Sequence, residues 1–200
     1  MHADAVAVLD FWFGPQGPAA AVAGRQRALW FGKSAEADRA VTERFATTLA
    51  DARAGRLDHW TDTPRGRLAL VIVLDQFPHH VFRDQAPAFA SDAQALALSL
   101  AALDALEDRA LAPIERVFLY LPLEHAESLD MQERSVALFE RLAQGAAADE
   151  RSLFENFLDY ARQHRDVVAR FGRFPHRNEI LGRMSSVAEI EFLKEPGSRF

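Results

Sequence analysis

Three stretches of this 200-residue chain bring together residue types that can move protons or hold anions. The first is Asp75-Gln76, followed by His79, His80 and Arg83. Asp75 falls at the C-terminal end of an apolar run, where the negative end of a helix dipole disfavours a carboxylate by roughly 0.3–1 kcal/mol. A buried anion there needs a partner, and Arg83, His79 and His80 are near in sequence, Arg83 with a two-pronged guanidinium contact. A structural ion pair that fixes a turn would look the same. The second stretch is Glu124-His125-Ala126-Glu127. Two carboxylates flank an imidazole, which suits proton transfer by His125 with Glu124 or Asp75 orienting it. The plainer reading makes Glu124 and Glu127 acidic first-turn residues at a solvated helix start.

The third stretch is the densest. From Tyr160 to Arg183 there are six arginines against Asp166 and Glu179, a local charge of +4 in a chain of −6. It holds His164 and Arg165, then Arg173-Phe174-Pro175-His176-Arg177-Asn178. A helix opened by Pro175 would leave free N–H groups beside Arg173, His176, Arg177 and Asn178, and such an end attracts phosphate, sulfate or carboxylate. His176 is a second candidate acid or base. The alternative is that these arginines pair with surplus carboxylates and tie the C-terminal helices down, because arginine serves both purposes.

Several motif matches fail. His164-Arg165-Asp166 imitates the kinase catalytic triplet, but Phe171 stands where the metal-binding asparagine belongs, and no glycine-rich phosphate loop exists. No G-x-S-x-G or H-E-x-x-H occurs, and the His-x-Glu of the second stretch lacks the P-C-x-x-C of a zinc deaminase. No metal and no cofactor is therefore expected. The absence of cysteine removes disulfides, thiolate nucleophiles and iron–sulfur clusters. The net −6 argues against nucleic acid and anionic membrane as partners. Met1-His2-Ala3-Asp4 lacks the basic start of a secretory signal, and the longest unbroken aliphatic run, Leu68 to Leu74, is far short of the ~18 residues a spanning helix needs. A cytoplasmic protein is the expectation.

The elements that must position these residues read as helices throughout, so the fold class is all-α in one domain, 1–200. Val6, Leu9, Trp12 and Phe13 mark a first helix stopped by Gly14-Pro15, and a Gly/Pro/Ala loop follows. Ser34 caps a helix facing inward with Val41, Phe45, Leu49 and Ala52. Thr63-Pro64 opens the next, which is apolar on every side from Leu68 to Leu74 and is therefore central; Pro78 ends it. A helix carries Leu96, Leu100, Leu103 and Leu106, and another opens at Pro113 and is interrupted at Pro122. Ser128 begins one ending at Gly145, and a long helix from Asp149 closes at Gly172. Two short helices follow, opened by Pro175 and by the capping box Ser186-x-x-Glu189. The pairs Trp12/Phe13 and Trp30/Phe31 read as core. About eight helices with short turns form an antiparallel bundle or array.

The chain also resembles a known family. Val8-Leu9-Asp10-Phe11-Trp12-Phe13-Gly14, Leu74-Asp75-Gln76-Phe77-Pro78, Phe89-Ala90-Ser91-Asp92-Ala93, Gln132-Glu133-Arg134-Ser135 and His164 through Asn178 are similar, in order, to segments of the bacterial domain of unknown function 924. The resemblance implies a tetratricopeptide-like array of helices. It also implies that Asp75/Gln76, Glu124/His125 and Arg173/His176/Arg177 belong to one site on a concave face. This chain departs from the family with His79-His80 where Arg-Asn is usual and Ala126 where Ser is usual. The resemblance brings no reaction. The leading expectation is a binding module for an anionic small molecule or the acidic end of a peptide, using Gln76, Arg83, His164, Arg165, Arg173, Arg177 and Asn178. The alternatives are a hydrolase or lyase with a His/carboxylate pair and an arginine clamp, and a scaffold whose polar motifs are ion-paired staples.

Overall fold

The computed structural model describes residues 1–198, and every regular element among them is helical. In chain order these are α1 (Ala3–Phe13), α2 (Ala19–Phe31), α3 (Ala35–Arg53), α4 (Pro64–Asp75), α5 (Phe77–Val81), α6 (Asp92–Asp104), α7 (Pro113–Glu124), α8 (Leu129–Gln144), α9 (Arg151–Phe171) and α10 (Val187–Phe192), with short 3₁₀ turns between some of them. Helix α4 is the axis. Residues Leu68 to Asp75 are all buried, and α1, α3, α6 and α7 pack around it. Its start is the one the sequence indicates: Pro64 is the first helical residue and Thr63 Oγ1 accepts from the Gly66 N–H at 3.1 Å. Gly66 is there for room, since a Cβ would stand 2.2 Å from the Trp60 carbonyl oxygen.

The structure differs from the sequence reading at five places. The expected loop after Pro15 contains α2, whose alanines and arginines favour a helix. Only Ala19, Val22 and Trp30 of α2 are buried, so its apolar stripe is too thin for periodicity to reveal. Trp30 Nε1 donates to Trp12 O at 2.8 Å and ties α2 to α1, while Phe31 points outward and is not core. Pro78 does not end a helix; it sits in the first turn of α5, where a missing N–H costs nothing. Pro122 lies inside α7, which continues two residues further. Pro175 opens only a three-residue 3₁₀ turn, Pro175–Arg177, in which the Arg177 N–H is bonded to Phe174 O and the Asn178 N–H to Pro175 O. The helical N-terminus expected to cradle an anion is not formed there.

Candidate functional site

Helices α4 and α7 end side by side, and the residues at those two ends form the centre of the site. Asp75, the last residue of α4, is 1% exposed. His125 follows α7 as its C-cap and places Nδ1 2.9 Å from Asp75 Oδ1. A carboxylate can only accept, so Nδ1 carries the proton and donates. Gln76 supports the pair, its Nε2 donating to Asp75 Oδ2 at 2.6 Å. Burial pushes the Asp75 carboxyl up, but His125 and the Gln76 amide outweigh it and hold the group below its ordinary value. Burial pushes the His125 imidazole down, and Asp75 more than reverses this, leaving it above its ordinary value. Two helix C-termini with their negative ends nearby also favour an imidazolium.

The groups behind this pair are kept neutral. Glu124 is buried and its carboxyl is pushed up to about 8 by desolvation, with His125 opposing. His164 Nδ1 lies 2.8 Å from Tyr160 O and 3.2 Å from Glu124 Oε1, and burial pushes its imidazole down to about 3. His79, whose ring is 6.0 Å from that of His125, is likewise pushed down to about 3 by burial and the nearby cations, against the pull of Asp75. The Asp75–His125 pair thus has neutral groups, Glu124, His164 and His79, packed behind it. Gln132, fully buried on α8, holds the turn that carries His125: its Nε2 donates to Glu124 O and, at 2.8 Å, to Ala126 O.

His125 forms part of the wall of an open cleft of about 460 Å³. That volume is within the range of small-molecule sites, roughly 300–1,000 Å³. Its lining combines apolar residues, Ala86, Phe89, Ala90, Ala93, Leu96, Pro122 and Leu181, with polar ones, Asp92, His125, Glu127, Ser128 and Arg177. Arg177 is 7% exposed, lies 4.8 Å from the Phe89 ring centre and 4.6 Å from that of Phe174, and donates from Nη1 to Asp92 Oδ2 at 3.3 Å. Arg177 Nε and Asp92 Oδ1 are both buried and have no hydrogen-bond partner among the described residues. Burial pushes the Asp92 carboxyl up to about 6 against the pull of Arg177.

The candidate residues therefore separate. Asp75, Gln76, His125 and Arg177 meet at or just beneath the cleft, with Glu124 and His164 packed behind. Arg83 is elsewhere: it is paired with Asp38, which also takes His80 Nδ1 at 2.9 Å, so the partner of Asp75 is His125 and not Arg83. Arg165 is a surface residue paired with Asp166 and Glu133. Arg173 forms a fork with Glu189 at 2.7 and 2.9 Å and tethers α10. Asn178 donates to Ser185 Oγ and accepts from Arg183 Nε, and Arg183 pairs with Glu127. The +4 stretch is thus largely neutralised by carboxylates, with Arg162 paired to Glu140 and Asp159 as well. Glu124 and Glu127 are not a solvated helix start; they follow one another across a helix end, the first buried and the second bonded to Arg183 and the Phe174 N–H. His176 is in ring contact with Phe174, at 5.6 Å between centres. No group of three His, Asp or Glu side chains among the described residues is arranged to hold a metal ion.

Residues not singled out for chemistry, Phe89, Asp92, Ser128, Gln132 and Leu181, complete the site. Phe89, Asp92 and Gln132 do fall in the segments that carry the family resemblance. The comparisons with known proteins agree with that resemblance. No functionally curated protein matches the chain. A solved structure described as a protein of unknown function from Agrobacterium tumefaciens is 35% identical, with a TM-score of 0.81, covering 96% of this chain and 97% of the other. Residues 8–197 match the profile of a bacterial protein family of unknown function, DUF924, and the chain belongs to that family.

Proposed function

We propose that the cleft is the active site of an acid–base enzyme, of hydrolase or lyase type, acting on a small molecule. His125 is the group that exchanges the proton and Asp75 is its positioning residue. The observation that carries this reading is the Asp75–His125 pair: Nδ1 is committed to a buried carboxylate, which orients the ring and leaves Nε2 of a cleft-lining residue to give its proton to a leaving group and, once neutral, to take one back from a bound water.

The reading is tested by screening the purified protein for hydrolysis and elimination on ester, amide and hydroxy-acid panels. His125→Gln is expected to abolish turnover, and Asp75→Asn to reduce it by about 10²–10⁴-fold. Turnover that survives in His125→Gln would remove it. A second reading, a binding module, is favoured by the unpartnered Arg177 Nε; ligand binding without turnover on any panel would select it.

A further inference from the structure

The charges that line the cleft are already balanced. Its titratable lining residues are Asp92, Glu127, His125 and Arg177. Arg177 Nη1 donates to Asp92 Oδ2 at 3.3 Å, Arg183 donates from both Nη groups to Glu127, Nη2 at 2.8 Å, and His125 Nδ1 donates to Asp75 at 2.9 Å. Each contact joins one cation to one anion, so no ion on the lining lacks a counter-ion. Arg53, a further cation near Asp92, lies outside the lining with its guanidinium bonded to Pro87 O and Ser91 Oγ. A ligand ion entering such a cleft gives up part of its hydration and meets no spare counter-charge. An uncharged ligand avoids that cost. The rest of the lining suits one: most of its residues are apolar, with Phe89, Leu96, Pro122 and Leu181 the largest, and covering them with an apolar body is favourable. Ser128, the N-cap of α8, is exposed on the same lining, and its hydroxyl makes no capping bond, so it can donate or accept without disturbing an ion pair.

We propose that the cleft takes an uncharged molecule with an apolar body and one hydrogen-bonding group, the body covering the apolar lining and the polar group bonded by Ser128 or by Nε2 of His125. This names the substrate class of the acid–base site and rests on that reading for its chemistry, though binding itself does not need His125 to move a proton. Because charge balance sets the class, unpairing one lining ion changes which ligand charge the cleft accepts. Glu127→Gln leaves Arg183 without its carboxylate while the side-chain oxygen can still accept from the Phe174 N–H, and Arg183→Gln leaves Glu127 on the lining unmatched.

The test is ligand-observed NMR titration of the full chain at neutral pH with hexanamide, hexanoate and hexylammonium, and with benzamide, benzoate and benzylammonium. Within each set the bodies are alike and only the charge differs. In wild type each amide is expected to bind at least about tenfold more tightly than either charged analogue. Glu127→Gln is expected to raise the carboxylates to or above the amides, and Arg183→Gln to do the same for the ammonium ions. Thermal denaturation checks that each variant folds; where one does not, the other variant and the wild-type order still decide. A charged analogue bound by wild type as tightly as its amide, an order unchanged in a folded variant, or no binding of either amide overturns the proposal. Its failure and that of the acid–base reading are distinguishable. His125-dependent turnover of a hydroxy acid removes the uncharged class alone, whereas amides bound by wild type and by His125→Gln, with no turnover on any panel, support the class and remove the reaction.

Discussion

Asp75 holds a charge in a place where two effects oppose it, burial and the end of its own helix, and it does so because His125 and Gln76 bond both of its oxygens. The imidazole in turn depends on the carboxylate. Replacing Asp75 by Asn removes the upward pull on His125 while burial remains, so its pKa is expected to fall; imidazole nitrogen shifts followed by NMR against pH check this. An unchanged His125 titration would mean that the pair does not control the proton. Glu124, a few ångströms behind, is expected to behave oppositely to an ordinary carboxylate. Its folded value, about 8, lies above its unfolded one, so the folded state binds the extra proton between them. Its contribution is present at low pH and lost as pH rises toward 8. Glu124→Gln is expected to reduce the loss of Tm between pH 5 and pH 9, measured by thermal denaturation. Residue types at Asp75, Glu124 and His125 were legible in the sequence. Which of the nearby cations Asp75 would meet was not, because His125 is 50 positions away and only packing brings it there.

At the scale of elements, the site depends on how helices end. Helix α7 stops at His125, and the turn after it is held by Gln132 from α8, whose amide satisfies two carbonyls that would otherwise be left open. Gln132→Ala is expected to cost about 1–3 kcal/mol in denaturant unfolding and to increase hydrogen exchange at the His125 turn. Helix α4 has a different constraint at its other end. The Cβ of Gly66→Ala would press on the Trp60 carbonyl, and moving that backbone is expected to cost about 1–3 kcal/mol, seen as a lower denaturation midpoint with an unchanged m-value. Caps at Ser34, Thr63 and Ser186 are read directly from residue types, and each is formed. The prolines were harder. Pro78 and Pro122 read as stops, yet the first begins a new helix and the second is absorbed near the end of α7, since proline forbids a bond and not a location.

For the whole molecule, neutral buried groups of both kinds set the pH range of stability. His79 and His164 have folded values near 3, below the unfolded one, so the unfolded chain binds more protons there and stability rises as pH climbs from about 3 to 6.5. Asp92 and Glu124 have raised values near 6 and 8, so their share of stability falls as pH rises through those values. The expected profile is a plateau near pH 5 to 6 with a decline on both sides, measured as unfolding free energy against pH. A stability that keeps rising to pH 9 would contradict the neutral Glu124.

The helical class, the central position of α4, most helix caps and the residue types of the site follow from sequence, because burial pattern and capping chemistry are local and repeat with the helix period. The packing decided which of the six arginines between Tyr160 and Arg183 reaches a cavity. Charge within a segment is a sum, whereas a ligand meets individual groups, and here carboxylates distant in sequence, Glu140, Glu133, Glu189 and Glu127, take up Arg162, Arg165, Arg173 and Arg183. Arg177 alone of these lines the cleft, with its Nε unpartnered, because Phe89 and Phe174 hold it against Asp92. The union of Asp75 with His125 likewise needed the ends of α4 and α7 to meet, a contact that no local signal in the chain records.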